Sequence, residues 1–284
     1  MTTHTVKVAP PNPHKSKYPR LTHKIALAGG KDFYNAKVKF GLQVRPEDSK
    51  YPAIRVNTKF WRLRYTLEVD GQPIQVVEYK DEGAHLSERL ARWKAEDKDR
   101  RSAIAELSLA DGQSMSTALR DIRSNGSLYA VECTMATAIV RLFVSRRGVI
   151  GTKAKFEEKQ EADKHFDDLY PTMLVEPLKG NIKVPGLSWL LPDSLPLFLA
   201  ELRTGTSAKV HVGDWIYFTH PFFPRDDPFR GENALWLGER IIYAHDYGMV
   251  SVDQYLTDVR QHDPSISLRK VRQESTVNLQ LVGK

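Results

Sequence analysis

A long apolar run begins directly after the single cysteine of this chain, in Glu132-Cys133-Thr134-Met135-Ala136-Thr137-Ala138-Ile139-Val140. The run is long enough for a buried helix, and Thr134 and Thr137 do not forbid one. A thiol at its start is either a small buried hydrophobe or the first residue of a catalytic helix. In the second case the positive end of the helix dipole and the unpaired N–H groups of the first turn favour thiolate. Glu132 works against this, because a carboxylate beside a thiolate raises its pKa, unless it caps the helix or is a second acid/base group of the same site.

At 284 residues the chain can bury one sizeable core or two small ones. No apolar run approaches the ~20 residues of a membrane span, and Met1 to Lys17 lacks the apolar core of a signal peptide. One cysteine makes no internal disulfide, so nothing points to an oxidising compartment. The expected location is the cytoplasm by default, with signal-independent export or incorporation into a spore or particle left open. Nine scattered histidines, with no His-x-x-His and no cysteine pair, argue against a metal site.

The net charge of +7 is unevenly placed. Residues 1–64 carry 14 Lys/Arg against 3 Asp/Glu, so the remainder of the chain is mildly acidic. A basic N-terminal third suits an acidic partner or a plainly solvated surface. Residues 1–17 read as a flexible tail. From Tyr18 to Tyr79 the pattern favours strands, with alternation in Ile54-Arg55-Val56-Asn57 and in Trp61 to Val69. Asp70-Gly71 then turns the chain into Ile74-Gln75-Val76-Val77. Lys59, Arg62 and Arg64 interleave with Phe60, Trp61 and Tyr65, a pattern that could bind single-stranded nucleic acid. A half-buried strand with a basic outer face is preferred, and nucleic acid is not expected.

Residues 84–100 read as a charged helix. A short helix capped by Ser116 carries Leu119 and Ile122 and ends at Asn125-Gly126. Residues 153–166 read as an exposed helix. Prolines at 171, 177, 185, 192 and 196 mark 177–198 as a long irregular loop. Lys209 to Phe218 reads as two short strands around Gly213-Asp214. Ser251 with Gln254 forms a capping box before a helix bearing Val252, Leu256 and Val259, and Thr276 to Val282 reads as a last strand.

Asn233 to Leu237 and Arg240 to Ala244 read as strands joined by Gly238-Glu239, the glycine-first type II′ turn. In that register Trp236 faces Ile241, Ala234 faces Tyr243 and Glu232 faces His245, with Cβ atoms ~4.5–5.5 Å apart. Glu232 would then orient the imidazole and raise its pKa. A weak surface ion pair is the alternative. The pair gains interest because Cys133 supplies the missing nucleophile of a Cys–His acyl-transfer enzyme.

Two blocks of residues resemble the bacterial spore-coat-type transglutaminases, which are protein-glutamine γ-glutamyltransferases. The first is Ala118-Leu119-Arg120-Asp121-Ile122, Asn125-Gly126, Tyr129-Ala130, Glu132-Cys133 and Thr137-Ala138-Ile139-Val140. The second is Gly213-Asp214, Tyr217-Phe218, Arg230-Gly231-Glu232-Asn233, Leu237-Gly238-Glu239, Tyr243-Ala244-His245 and Gly248. They occur in the family's order over roughly residues 105–255. The resemblance implies Cys133 as nucleophile, Glu232 and His245 as its assistants, and Glu132 as a second carboxylate sharing the base role. It implies an α+β fold with a core like that of papain and the NlpC/P60 hydrolases. There the cysteine begins a helix packed on an antiparallel sheet carrying the glutamate and histidine.

The implied organisation is a tail (1–17), a strand-rich basic region with one helix (18–100) and a catalytic core (101–284). The partners implied are a glutamine-donor and a lysine-acceptor protein, with no cofactor and with a monomeric enzyme. Trp215, Trp236, Phe222 and Phe223 are candidates for lining the acyl-donor channel, though such residues are more often core. Residues 1–100 fall outside the resemblance, and 171–208 is longer than the family pattern. A glutamine deamidase or amidase using the same thioester, and a silent papain-like binding module, are the competing readings.

Overall fold

The structure is a computed structural model that describes residues 21–45, 54–70, 72–78, 101–152, 159–170, 181–188, 212–224, 227–244 and 247–280. The expected tail at 1–17 and the expected helix at 84–100 lie outside the described residues.

The first element is a helix, α1 (His23–Phe40), where strands were expected. The Thr22 side chain caps it by accepting from the Ile25 N–H, and Gly41 ends it in the left-handed conformation at φ 75°. Ala26, Gly29, Phe33 and Ala36 form its buried face at helical spacing. Adjacent glycines within a helix disfavour it by roughly 1 kcal/mol each. Gly29 is tolerated because of what it touches: a Cβ there would lie 2.5 Å from the Val144 Cα. Val144 belongs to the helix that starts at the cysteine, here α3 (Cys133–Thr152).

Strand β1 (Gln43–Arg45) follows α1. Ile54 to Asn57 keeps its alternating burial but forms only an isolated bridge, Arg55 with Ala130. The hairpin of β2 (Trp61–Val69) and β3 (Gln72–Glu78) agrees with the sequence reading, and β4 (Arg101–Leu109) pairs on the other side of β2. Trp61, Leu63, Tyr65 and Leu67 point inward and the arginines between them are half-buried. That is the basic-faced strand expected.

Helix α2 (Met115–Ser124) is capped by Ser114, not Ser116. Ser116 is instead buried, and its N–H and hydroxyl donate to Asp167 at 2.6 and 2.8 Å. Strand β5 (Ala130–Glu132) leads into α3, and helix α4 (Lys159–Leu169) follows. The latter is not simply exposed: Ala162, Asp163, Phe166 and Leu169 are buried. Strand β6 (Asn181–Ser188) occupies part of the stretch read as an irregular loop. Its inward partner is the C-terminal strand, which lies too far along the chain for local pattern to reveal.

Next come β7 (Trp215–Thr219), β8 (Gly231–Gly238), β9 (Ile241–Ala244) and β10 (Gly248–Ser251). The described chain ends with α5 (Val252–His262), α6 (Leu268–Glu274) and β11 (Thr276–Gln280). Ser251 caps α5 through the Gln254 N–H as expected. The Gln254 side chain, however, donates to Asp258 at 2.6 Å rather than closing the box.

Six strands form one sheet in the order β10-β9-β8-β7-β11-β6, every neighbouring pair antiparallel. The fold is therefore mixed α and β around a large antiparallel sheet. Leu235, Leu237 and Tyr243 on one face join the core built by α1, α2 and α3. Ile216, Phe218, Ala234, Trp236 and Ile242 on the other face pack under α5 and α6.

The β8–β9 turn corrects the sequence register. The two turn residues are Glu239 and Arg240, both at positive φ (48° and 62°). Trp236 pairs with Ile242 and Ala234 with Ala244, one position later than expected, with a bulge before Gly238. Left-handed non-glycine residues cost roughly 1–2 kcal/mol each, and neighbouring groups offset this. The His23 Nδ1 donates to the Leu237 carbonyl at 2.9 Å and its Nε2 lies 3.1 Å from the Glu239 carboxylate. Arg240 donates to Asp253 at 2.5 Å, and the Val252 N–H to the Arg240 carbonyl at 2.9 Å. These contacts come from α1 and α5, so tertiary structure selects the turn.

Gly29→Ala separates two opposing effects. Helix propensity would add about 1 kcal/mol of stability. The backbone clash with Val144 cannot be relieved by a rotamer change, and overpacking of this kind costs about 1–3 kcal/mol. The urea midpoint should therefore fall; a rise would show that α1 and α3 are not in backbone contact.

Candidate active site

Cys133 is the first residue of α3, a helix of 20 residues. Met135, Ala136, Ile139, Val140, Phe143 and Val144 bury most of its length. For Glu132 and Cys133 the structure describes the backbone alone. The approach to that first turn is held on two sides. Strand β1 runs parallel to β5, with Val44 beside Val131 and Arg45 beside Glu132. On the other side, Arg55 and Ala130 exchange both backbone hydrogen bonds at 2.8 Å. The Arg55 guanidinium donates to the Ser127 carbonyl at 2.9 Å.

The Gly126-Ser127 segment is a tight 3-10 turn (Gly126–Leu128). A Cβ on Gly126 would meet the Ala36 and Phe40 carbonyls of α1 at 2.7 and 2.8 Å. Beneath the turn lies Asp121, a buried residue whose carboxylate accepts three hydrogen bonds. Asn57 and Asn125 donate to it at 2.9 and 2.7 Å, and the Tyr129 hydroxyl donates to it as well. Burial and then the bond to Asp121 push the Tyr129 pKa up. Asp121, Asn125 and Tyr129 are all in the quoted resemblance, and their work here is structural: they tie the cysteine's approach to α2.

Glu232 is the second residue of β8 and pairs with Phe218 of β7. Alternation along the strand puts it on the face shared by Phe218, Ala234 and Trp236, under α5. Its electrostatics agree. The Tyr255 hydroxyl of α5 has a raised pKa, chiefly from burial and then from the negative charge of Glu232. Helix α3 packs on the other face of the sheet. His245 follows the last residue of β9 and lies outside the described residues. Register alone no longer sets it opposite Glu232, since Ala234 already pairs with Ala244. Of the four candidates, then, the structure describes the side chain of Glu232 and the backbone of Glu132 and Cys133.

Trp215 and Trp236 are buried at 3% and 4% exposure, as core residues rather than channel walls. The Trp215 indole donates to Asn233 at 3.0 Å. Phe222 and Phe223 pack with the core under α5, and Phe223 also borders a surface cavity of about 480 Å³ with Pro224, Asp227, Phe229, His262 and Asp263.

Sequence reasoning missed His220. It sits one residue past β7, almost fully buried, with Nδ1 2.7 Å from the Ser275 hydroxyl and Nε2 2.6 Å from the Tyr255 hydroxyl. Burial lowers its pKa to about 3. A histidine before a proline carries no local signal of burial; its partners come from α5 and the segment before β11. Among the described residues no group of three or more His, Cys, Asp or Glu side chains could hold a metal ion, and no helix is long and apolar enough to cross a membrane.

The model of the family described as protein-glutamine gamma-glutamyltransferase matches residues 99–278. The chain belongs to that family. The matched range contains Glu132, Cys133, Glu232 and His245.

Three curated proteins named protein-glutamine gamma-glutamyltransferase are similar to it. That of Halalkalibacterium halodurans is 28% identical over 52% of this chain and 42% of its own length. That of Bacillus mycoides is 26% identical over 57% and 49%. That of Bacillus subtilis is 30% identical over 50% and 46%. The chain therefore spans about half the length of the curated relatives it matches. A solved transglutaminase from Geobacillus stearothermophilus, without its C-terminal extension, aligns over 91% of this chain and 89% of its own at 17% identity and a TM-score of 0.45.

The buried neutral His220 makes stability pH-dependent. Its folded pKa of about 3 lies below the ~6.5 of an unfolded histidine. The contribution is complete above pH ~6.5 and is lost as pH falls from there toward 3, because the unfolded chain takes up the proton first. Urea titrations between pH 7.5 and 5 should show the wild type losing up to ~1.4 kcal/mol per pH unit more than His220→Gln. Equal slopes would show that burial does not depress the His220 pKa in the folded protein.

Proposed function

We propose that this chain is a protein-glutamine γ-glutamyltransferase, a cysteine-dependent acyltransferase that joins a protein glutamine to a lysine amine. The observation that carries the reading is a long buried helix beginning at Cys133, inside the range matched by the family. A thiol at that position faces the positive end of the helix dipole and N–H groups without intrahelical partners. Both favour thiolate at neutral pH.

The Cys133 thiolate attacks the γ-carboxamide carbon of the donor glutamine. Backbone N–H groups of the first helical turn stabilise the oxyanion. His245 or Glu232 gives a proton to the departing ammonia, which leaves a thioester. A lysine amine then attacks, and Glu232 or Glu132 takes its proton. The carbon–sulfur bond breaks, an isopeptide bond forms and the thiolate returns. The core is of the papain-like type, with the cysteine helix on one face of the antiparallel sheet. Glu232 is on the sheet face opposite α3, not on the face expected beneath the cysteine helix, so in this reading it serves the thioester from its place at the start of β8, directly after the Pro228–Arg230 turn. The partners are donor and acceptor proteins, and the chemistry calls on no cofactor.

Incubation of the full chain with a glutamine-donor protein and a labelled primary amine, followed by mass spectrometry of the donor, tests this. Amine incorporation is expected, and Cys133→Ala should lower it by at least ~10³-fold. Glu232→Gln should lower it by ~10²-fold or more while Cys133 remains open to iodoacetamide. Glutamine converted to glutamate without incorporation would reassign the protein as a deamidase. No change in the donor, together with no alkylation of Cys133, would remove the acyl-transfer reading.

A further inference from the structure

Helices α1 and α3 run antiparallel. A Cβ on Gly151 would lie 3.5 Å from the Ile25 side chain and one on Gly29 against Val144, while the Phe33 and Phe143 rings are 6.2 Å apart. The C-terminal half of α1 therefore runs toward the start of α3, where Cys133 stands. The end of α1 also carries the 3-10 turn that feeds β5 and Cys133, through the contact of Gly126 with the Ala36 and Phe40 carbonyls. The sheet has the same polarity. His23, at the start of α1, bonds the Leu237 carbonyl near the end of β8, whereas Phe33 meets Tyr243 edge-on at 5.4 Å. Tyr34 packs on Gly248, where a Cβ would lie 2.9 Å from its ring, and Gly248 pairs with Ala244, the residue before His245. The last turns of α1 thus border the end of the molecule that holds Cys133 and the β9–β10 connection.

That border is unusually apolar for a surface. Six large hydrophobic side chains are exposed among the described residues, and four of them are here: Tyr34, Val38 and Phe40 on α1, and Leu128 in the turn packed on it. Val38 is 54% exposed. The charge around them has one sign. Residues 21–44 contain a single carboxylate, Asp32, which is buried and bonded to Arg147. Lys24, Lys31 and Lys39 are exposed, and Lys24, Lys31, Tyr34 and Val38 follow one another at spacings of seven, three and four residues, which is one stripe of the helix. A contiguous apolar surface rimmed by polar groups marks an interaction site, and a rim of one sign selects a partner of the other.

We propose that the C-terminal half of α1 is the docking surface for the glutamine-donor protein, and that it takes a donor segment with acidic residues around an apolar one. The proposal rests on the acyl-transfer reading above. Glutamine is neutral, so a donor segment is free to carry the acidic flanks that Lys31 and Lys39 attract. The acceptor brings an ammonium, which this surface repels. Binding through Tyr34 and Val38 holds the donor beside the start of α3 and raises the effective concentration of its glutamine at Cys133.

The test uses the full chain, excess hydroxylamine as a fixed acceptor and ammonia release as the readout. Three short donor peptides are compared: one with Leu and two Asp beside the Gln, one with both Asp replaced by Ser, and one with the Leu replaced by Ser. For the wild type at low salt, kcat/KM should favour the acidic peptide over the Asp-free one by about tenfold, and the preference should shrink as salt is raised. Lys31→Glu/Lys39→Glu should lower that ratio by about tenfold. Val38→Ser should lower the preference for the Leu peptide over its Ser version by about threefold. Both sites are exposed, so these variants keep the core intact. A wild type with no salt-sensitive preference, or ratios unchanged in the variants, would overturn the docking surface while leaving acyl transfer standing. Unchanged peptide ratios with the two lysines instead required for binding a DNA duplex would assign the surface to another partner and overturn it equally. A wild type that releases no ammonia from any of the three peptides or from a glutamine-donor protein would overturn the acyl-transfer reading itself.

Discussion

Backbone contact between α1 and α3 is the constraint on which the rest of the molecule depends. At Gly29 the two helices approach so closely that one methyl group would lie 2.5 Å from the Val144 Cα. A pair of charge-assisted bonds pins the same crossing: Arg147 of α3 donates to both oxygens of the nearly buried Asp32 of α1, at 2.5 and 2.8 Å. Asp32 is buried while the Arg147 side chain is partly exposed, so a packing that withdrew Arg147 would leave the carboxylate buried without this partner, which is costly. Here it selects one register of the two helices. Since α3 begins at Cys133, that register also decides where the thiol's backbone sits relative to β1 and the 3-10 turn packed on α1.

The six-stranded sheet then separates two kinds of interior. The face under α1 and α3 is apolar, with Leu235, Leu237 and Tyr243 joining the larger core. The face under α5 carries hydroxyls and an imidazole among its apolar residues: Tyr255, His220 and Ser275 satisfy one another in a nearly dry layer. Glu232 is on this second face, and the acidic, aromatic cavity opens at its margin. A buried polar layer of this kind holds its shape only when each member is bonded, which makes the surroundings of Glu232 stiff.

Much of the fold was legible from local pattern. Trp61 to Val69 alternates and is a strand with its apolar side buried; Asp70-Gly71 predicts the hairpin that β2 and β3 make. The apolar run after Cys133 is the helix that its composition requires. Errors arose where the decisive partner was distant in sequence. Residues 23–40 read poorly as a helix because Gly29 and Gly30 weaken the local preference, and only contact with Val144 explains the first of them. The β8–β9 register was off by one because Gly238 at φ 90° sits before the turn, while Glu239 and Arg240 form it under restraint from His23 and Asp253. A one-residue shift changes every cross-strand partner, and the Glu232–His245 pairing argument fell with it.

The sequence by itself determined the family, through motif blocks whose residue types and order survive without a structure, and it determined that Cys133 opens a buried helix, through an apolar run too long to be exposed. Tertiary structure alone decided which sheet face Glu232 occupies, what Asp121 and Tyr129 hold in place, and that His220 is a neutral buried group. The physical reason is common to all three. Each depends on partners distant in sequence, as far as the 64 residues between Asn57 and Asp121 and the 55 between His220 and Ser275, brought together by packing, and local propensity carries no information about partners at that range.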